Sequence, residues 1–154
     1  MSSQEAQGTA PTVQARQDAA RRSRPIAWLP LILVFVVGAT YGLFLVLPYY
    51  VNGLDQLPLD EVASGAHDPK DLWPYRDGGA LSVIWTFGAL FAFMLGPFIL
   101  LAAPLWAAVL MWRDRRTLRV REWCALAMAT LCGVALIAEL ASPFHDALVN
   151  WWLD

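Results

Sequence analysis

Three stretches of the chain, Ile26 to Val51, Ala80 to Trp112 and Trp123 to Leu140, are almost free of charge, and the last continues through Ala141 to Phe144. A helix needs about 20 apolar residues to cross a hydrocarbon core about 30 Å thick, and each stretch is close to that length or longer. The pattern therefore predicts an all-α integral membrane protein with three transmembrane helices, over residues 26–51, 80–112 and 123–144. The segments between them carry the charge and the turn residues. Residues 1–25 have no apolar periodicity and read as a disordered cytoplasmic tail. Residues 52–79 read as an acidic external loop, 113–122 as a basic cytoplasmic loop, and 145–154 as an external interfacial tail.

The second stretch is long enough to raise a hairpin broken at Pro97 or Pro104. A hairpin would put the following loop, with Arg113, Arg115, Arg116, Arg119 and Arg121, on the outside. Basic residues are retained in the cytoplasm, so a single crossing is expected. From Trp85 to Trp112 a helix would span about 40 Å, close to a full bilayer with its interfaces. Because a proline removes a backbone donor, an irregularity is expected between Met94 and Pro104.

Charge fixes the expected orientation. Arg21, Arg22 and Arg24 precede the first stretch, whereas residues 52–79 contain Asp55, Asp60, Glu61, Asp68, Asp71 and Asp77 against Lys70 and Arg76. The N-terminus is thus expected inside and the C-terminus outside. A secretory signal peptide is the competing reading, with Val37-Gly38-Ala39 as its cleavage site, but apolar residues continue past that point through Leu47. Trp28, Trp112 and Trp123 would mark the inner interface, and Tyr49, Tyr50, Trp85, Trp151 and Trp152 the outer one.

Composition narrows the class further. An apolar share of 58% with eight Trp exceeds what a soluble core of this size requires. The formal net charge of −2 is uninformative because its parts fall on different sides. Arg in place of Lys, with abundant Ala, Leu and Val, suggests a GC-rich bacterial genome and hence a bacterial inner membrane. Cys124 and Cys132 both lie in the third stretch, which leaves no disulfide framework in the loops.

Helices in lipid associate through close contact of small residues. Gly38 and Gly42 form a G-x-x-x-G pair in the first helix; Gly88, Ala92 and Gly96 repeat the spacing in the second, and Ala125, Ala129 and Gly133 in the third. These faces serve either to pack the three helices on one another or to dock a partner chain or a second copy.

Chemistry has few places to reside. Glu139 is the one ionisable residue inside an expected span, and such residues are candidates for proton or ion handling. Its depth, about 24 Å beyond Trp123, places it near the outer surface, where it would be interfacial or paired with Lys70 or Arg76. His67-Asp68 and His145-Asp146 lack any metal-ligand spacing, and no helical His lies at the depth a haem would need. No nucleophile with its base, no phosphate loop and no nucleic-acid motif is present, so no cofactor and no metal are expected, and the partners expected are the bilayer and another protein. These features predict a non-catalytic accessory or interaction subunit of a larger bacterial membrane complex. The alternatives are a small oligomeric transporter or channel using Glu139 and the proline-broken second helix, and an enzyme acting on lipid or quinone through Glu139, His145 and Asp146.

Overall fold

The computed structural model describes residues 26–64, 66–76 and 78–153. The expected cytoplasmic tail, with Arg21, Arg22 and Arg24, lies outside the described residues. Helix α1 runs Ile26–Val51, opening on a 3-10 turn and passing through a π-helical turn at Gly42–Val46. Then come the short α2 (Leu59–Val62), α3 (Ala80–Met94), α4 (Gly96–Arg113), α5 (Val120–Leu140) and α6 (Pro143–Leu153). Among the described residues there is no strand. Helices α1, α4 and α5 are long and apolar enough to cross a membrane; α3 is apolar but shorter.

The three long helices pack as one bundle. The α4–α5 interface is the most extensive, and α1 lies against both. Ala107, Leu110, Leu126 and Ala129 form its core at the end where α1 begins, and Val34, Val37, Leu100 and Ala103 continue it along the axis. Outside, the surface is equally apolar: Phe35 is 73% exposed, Phe98 71% and Leu105 67%. A contiguous apolar exterior of this kind suits lipid rather than water.

The buried stripe of α1, Pro30, Val34, Val37, Tyr41, Leu45 and Tyr49, has an ordinary helical period up to Tyr41 and then steps by four residues. The π-turn accounts for the change: it under-winds the helix, closed by the Leu47 N–H donating to the Gly42 carbonyl. Pro48, one residue later, has no N–H to offer the Phe44 carbonyl.

The structure differs from the sequence expectation in four places. The stretch 80–112, expected as one helix with an irregularity between Met94 and Pro104, is two helices that meet at Leu95, inside that window. Pro97 has no N–H to offer the Phe93 carbonyl, so the turn around Leu95 is one hydrogen bond short. Pro104, by contrast, stays inside α4. The third helix ends at Leu140 rather than Phe144, because Ser142-Pro143 starts α6. The expected tail 145–154 is helical through Leu153, and its Leu148 and Trp151 are fully buried. Finally, the segment 52–79 is not an open loop over its described residues.

That segment and α6 form a cap on one end of the bundle. Leu54, Val62, Leu148 and Trp151 share its core with Tyr41, Leu45 and Tyr49 of α1 and Ala89 and Ala92 of α3. Asn52 ties the cap to α1: its Nδ2 donates to the carbonyls of Pro48 and Trp73, both at 2.7 Å, and its Oδ1 accepts from the Trp73 N–H at 3.2 Å. The Trp151 indole donates to the His67 carbonyl at 2.8 Å and the Trp152 indole to the Tyr75 hydroxyl at 3.0 Å. Tyr49 and Trp151, expected as interfacial anchors, are therefore core residues, 4% and 1% exposed.

Candidate functional site

Where α1, α5 and α6 meet, below the cap, four polar side chains come together. Leu140 ends α5, and Ser142 then caps α6, its hydroxyl accepting the His145 N–H at 3.1 Å. Ser at the N-cap followed by Pro143 in the first helical position is a strong start signal. The same hydroxyl lies 3.3 Å from Glu139 Oε1, to which it donates. His145 is thereby turned toward α1, where its Nδ1 lies 3.1 Å from the Tyr41 hydroxyl. Phe93 of α3 lies near the other side of the imidazole, with ring centroids 6.2 Å apart.

Burial pushes the His145 imidazole below its ordinary value, against the opposing pull of the Asp146 and Glu139 carboxylates. A neutral ring with Nδ1 as acceptor takes the Tyr41 hydroxyl proton in a hydrogen bond. Glu139 also lines a small cavity between the helices, about 10 Å³, with Val37, Gly38, Tyr41, Ala92, Gly96, Leu100, Leu136 and Leu140. That is about the space of one water. Ser142 joins the Glu139 carboxylate to the His145 backbone N–H and Tyr41 meets the His145 ring, and the cavity beside them has no room for an organic substrate.

From the sequence, Glu139 is expected to be either interfacial or locally paired, with Lys70 or Arg76 as a counter-charge. Its half-buried carboxylate accepts from the Ser142 hydroxyl, a local pairing, while Arg76 is exposed and Lys70 engages Asp68 at 3.5 Å. Neither Tyr41 nor Ser142 was singled out from the sequence. The S-P pair was the available signal for Ser142; Tyr41 carries none, since its role depends on which helix faces it. His67 lies in the cap, its Nε2 3.5 Å from Glu61. No group of three or more His, Cys, Asp or Glu suited to a metal occurs among the described residues.

The small-residue faces are occupied within the chain. A Cβ on Gly38 would meet Leu136 of α5 at 3.2 Å, and one on Gly96 would meet Val37 of α1 at 3.4 Å. A Cβ on Gly88 would collide with the Phe44 ring, and one on Gly133 with the Pro104 ring. Ala92, Ala125 and Ala129 are buried. Gly42 is different: a side chain there would meet nothing within 4 Å.

Cys124 is exposed and Cys132 half-buried, both as free thiols. The chain matches no protein-family model, no curated protein and no solved structure.

Proposed function

We propose that this protein is a membrane-anchored interaction subunit of a larger assembly, with the cap as its working surface. The observation that supports this reading is the folded cap itself. A connection between two membrane helices needs only to span a gap, yet residues 52–79 are held to α1 and α6 by buried Leu54, Val62 and Trp151 and by the Asn52 and indole hydrogen bonds. Such order suits a surface that must present groups in fixed positions. The groups it presents are carboxylates: Asp55, Asp60, Glu61 and Asp71 are all exposed. The Arg113–Arg121 turn is at the opposite end of the bundle, where α1 begins, and the positive-inside rule assigns it to the cytoplasm and the cap to the outside. A bacterial inner membrane, read from composition, is the setting that suits this arrangement.

The test is purification in mild detergent from the native membrane, comparing the wild type with Asp60→Asn/Glu61→Gln/Asp71→Asn. The substituted side chains are exposed, so insertion and folding should persist while the co-purifying protein is lost. Undiminished recovery of that protein by the triple variant would refute the cap as the docking surface.

A second reading is favoured by the inward-turned Glu139 with Tyr41 and His145: a proton-translocating unit. It requires that Glu139→Gln abolish proton flux in vesicles. Retention of flux, or its absence from the wild type, removes this reading.

A further inference from the structure

We propose that the turn between α4 and α5 is a binding site for the phosphate headgroup of an anionic lipid. The proposal rests on the reading that this end of the bundle lies at a membrane surface. Trp112, Arg113, Asp114, Arg115, Arg116 and Thr117 line a concavity of about 420 Å³ there. Its floor is a rigid turn, because the Asp114 carbonyl accepts from the Thr117 N–H at 2.8 Å, the Leu118 N–H at 3.1 Å and the Thr117 hydroxyl at 3.0 Å. Arg115 and Arg116 are thus held at the tip of a defined hairpin between two helices.

Both nearby carboxylates are already engaged. Asp114 takes a two-point contact from Arg113, Nε to Oδ1 and Nη2 to Oδ2, each 3.1 Å. Glu122 accepts the Arg119 N–H at 2.8 Å, where it caps the start of α5. Arg115 and Arg116 are exposed and make no ion pair among the described residues. Two guanidinium groups with free donor forks on one concave surface match the paired oxygens of a phosphodiester. Retention of positive charge in the cytoplasm explains why arginines are here; it requires neither a concavity nor the pairing of its one lining carboxylate, Asp114, with Arg113.

Depth argues for lipid as the source of the phosphate. Trp112, 77% exposed, stands on the rim of the concavity at the last turn of an apolar helix, where indoles sit at headgroup level. A headgroup beside it would place its phosphate at the arginines and its acyl chains along the exposed apolar side of α4, past Val109 and Leu105. Basic pockets beside membrane helices on the cytoplasmic side bind acidic headgroups in this way.

Native mass spectrometry of the full chain in a neutral detergent tests the proposal, with equal amounts of phosphatidylglycerol or phosphatidylcholine added and, in a separate arm, inorganic phosphate at millimolar concentration. The wild type should retain phosphatidylglycerol over phosphatidylcholine. Arg115→Gln/Arg116→Gln should reduce that retention about thirtyfold, from roughly fivefold per basic residue near an anionic surface. Arg76→Gln, in the cap, should leave it unchanged. Equal retention of the two lipids by the wild type would overturn the proposal, and this comparison needs no variant to fold. So would phosphatidylglycerol retention by the double variant at the wild-type level, or displacement of the lipid by inorganic phosphate, which would mark a site for a soluble anion.

Discussion

Gly133 shows how a single missing side chain shapes the bundle. Pro104 lacks the N–H that a residue in mid-helix would donate, and in lipid such a loss is tolerated only where packing is close. Its ring fills the space that a Cβ at Gly133 would need. Because the ring is fixed to the α4 backbone, it cannot swing aside as a long side chain would. Gly133→Ala should therefore lower the stability of the detergent-solubilised protein by about 1–3 kcal/mol, the usual cost of overpacking. Gly42→Ala, with open space around it, should leave stability nearly unchanged. Equal thermal midpoints for the two variants would contradict this account. His145 supplies a different residue-level expectation. Its ordinary value is 6.5 and burial lowers it in the folded protein, so the folded state binds the proton less readily than the unfolded chain. The stabilising contribution is present above pH 6.5 and is lost as pH falls below it. Between pH 7 and pH 5 the wild type should lose more thermal stability than His145→Asn, as a paired melting series would show. The reverse order would mean that the Glu139 and Asp146 carboxylates, rather than burial, dominate at this imidazole.

At the scale of elements, α6 decides whether the cap holds together. It begins at Ser142 because a side-chain acceptor there satisfies the His145 N–H while Pro143 needs no partner for its own nitrogen. One and two turns later Leu148 and Trp151 enter the cap core, and the Trp151 indole reaches the His67 carbonyl. Trp151→Ala removes a fully buried aromatic side chain and leaves that carbonyl unpaired, a change of about 3–5 kcal/mol. The loss should stay local: hydrogen exchange should quicken over residues 54–76 while α4 and α5 remain protected. Ser142→Ala should cost about 1 kcal/mol and act mainly on the first turn of α6. Uniform loss of protection across the bundle in the Trp151 variant would show that cap and bundle unfold as one unit.

For the whole molecule, charge is segregated to opposite ends of one helical bundle. The Arg113–Arg121 turn is beside the start of α1, and the exposed carboxylates are on the cap beside its end. A reporter active only outside the cytoplasmic membrane should be active when fused after Asp154 and silent when fused after Arg116. The opposite pattern at either position would reverse or abolish the three-crossing arrangement.

The long apolar helices were legible in the chain because they depend on quantities that simply accumulate along it. Twenty or more consecutive apolar residues make a helix suited to lipid wherever they occur, and Pro97 removes a hydrogen bond whatever surrounds it. The membrane-type helices and the irregular second segment followed from that alone. Side-chain partnership does not accumulate in this way. Whether Gly38 meets a partner chain or Leu136 depends on the relative rotation of α1 and α5, which no local pattern records. The direction of Glu139 depends on Ser142 and on where α6 turns back toward Tyr41. Trp151 and Tyr49 had the composition of interfacial anchors; burial against Leu54 and Val62 made them core. A residue's type sets which environments it tolerates, and only the tertiary structure selects among them, since desolvation and hydrogen-bond partners arrive from segments distant in sequence.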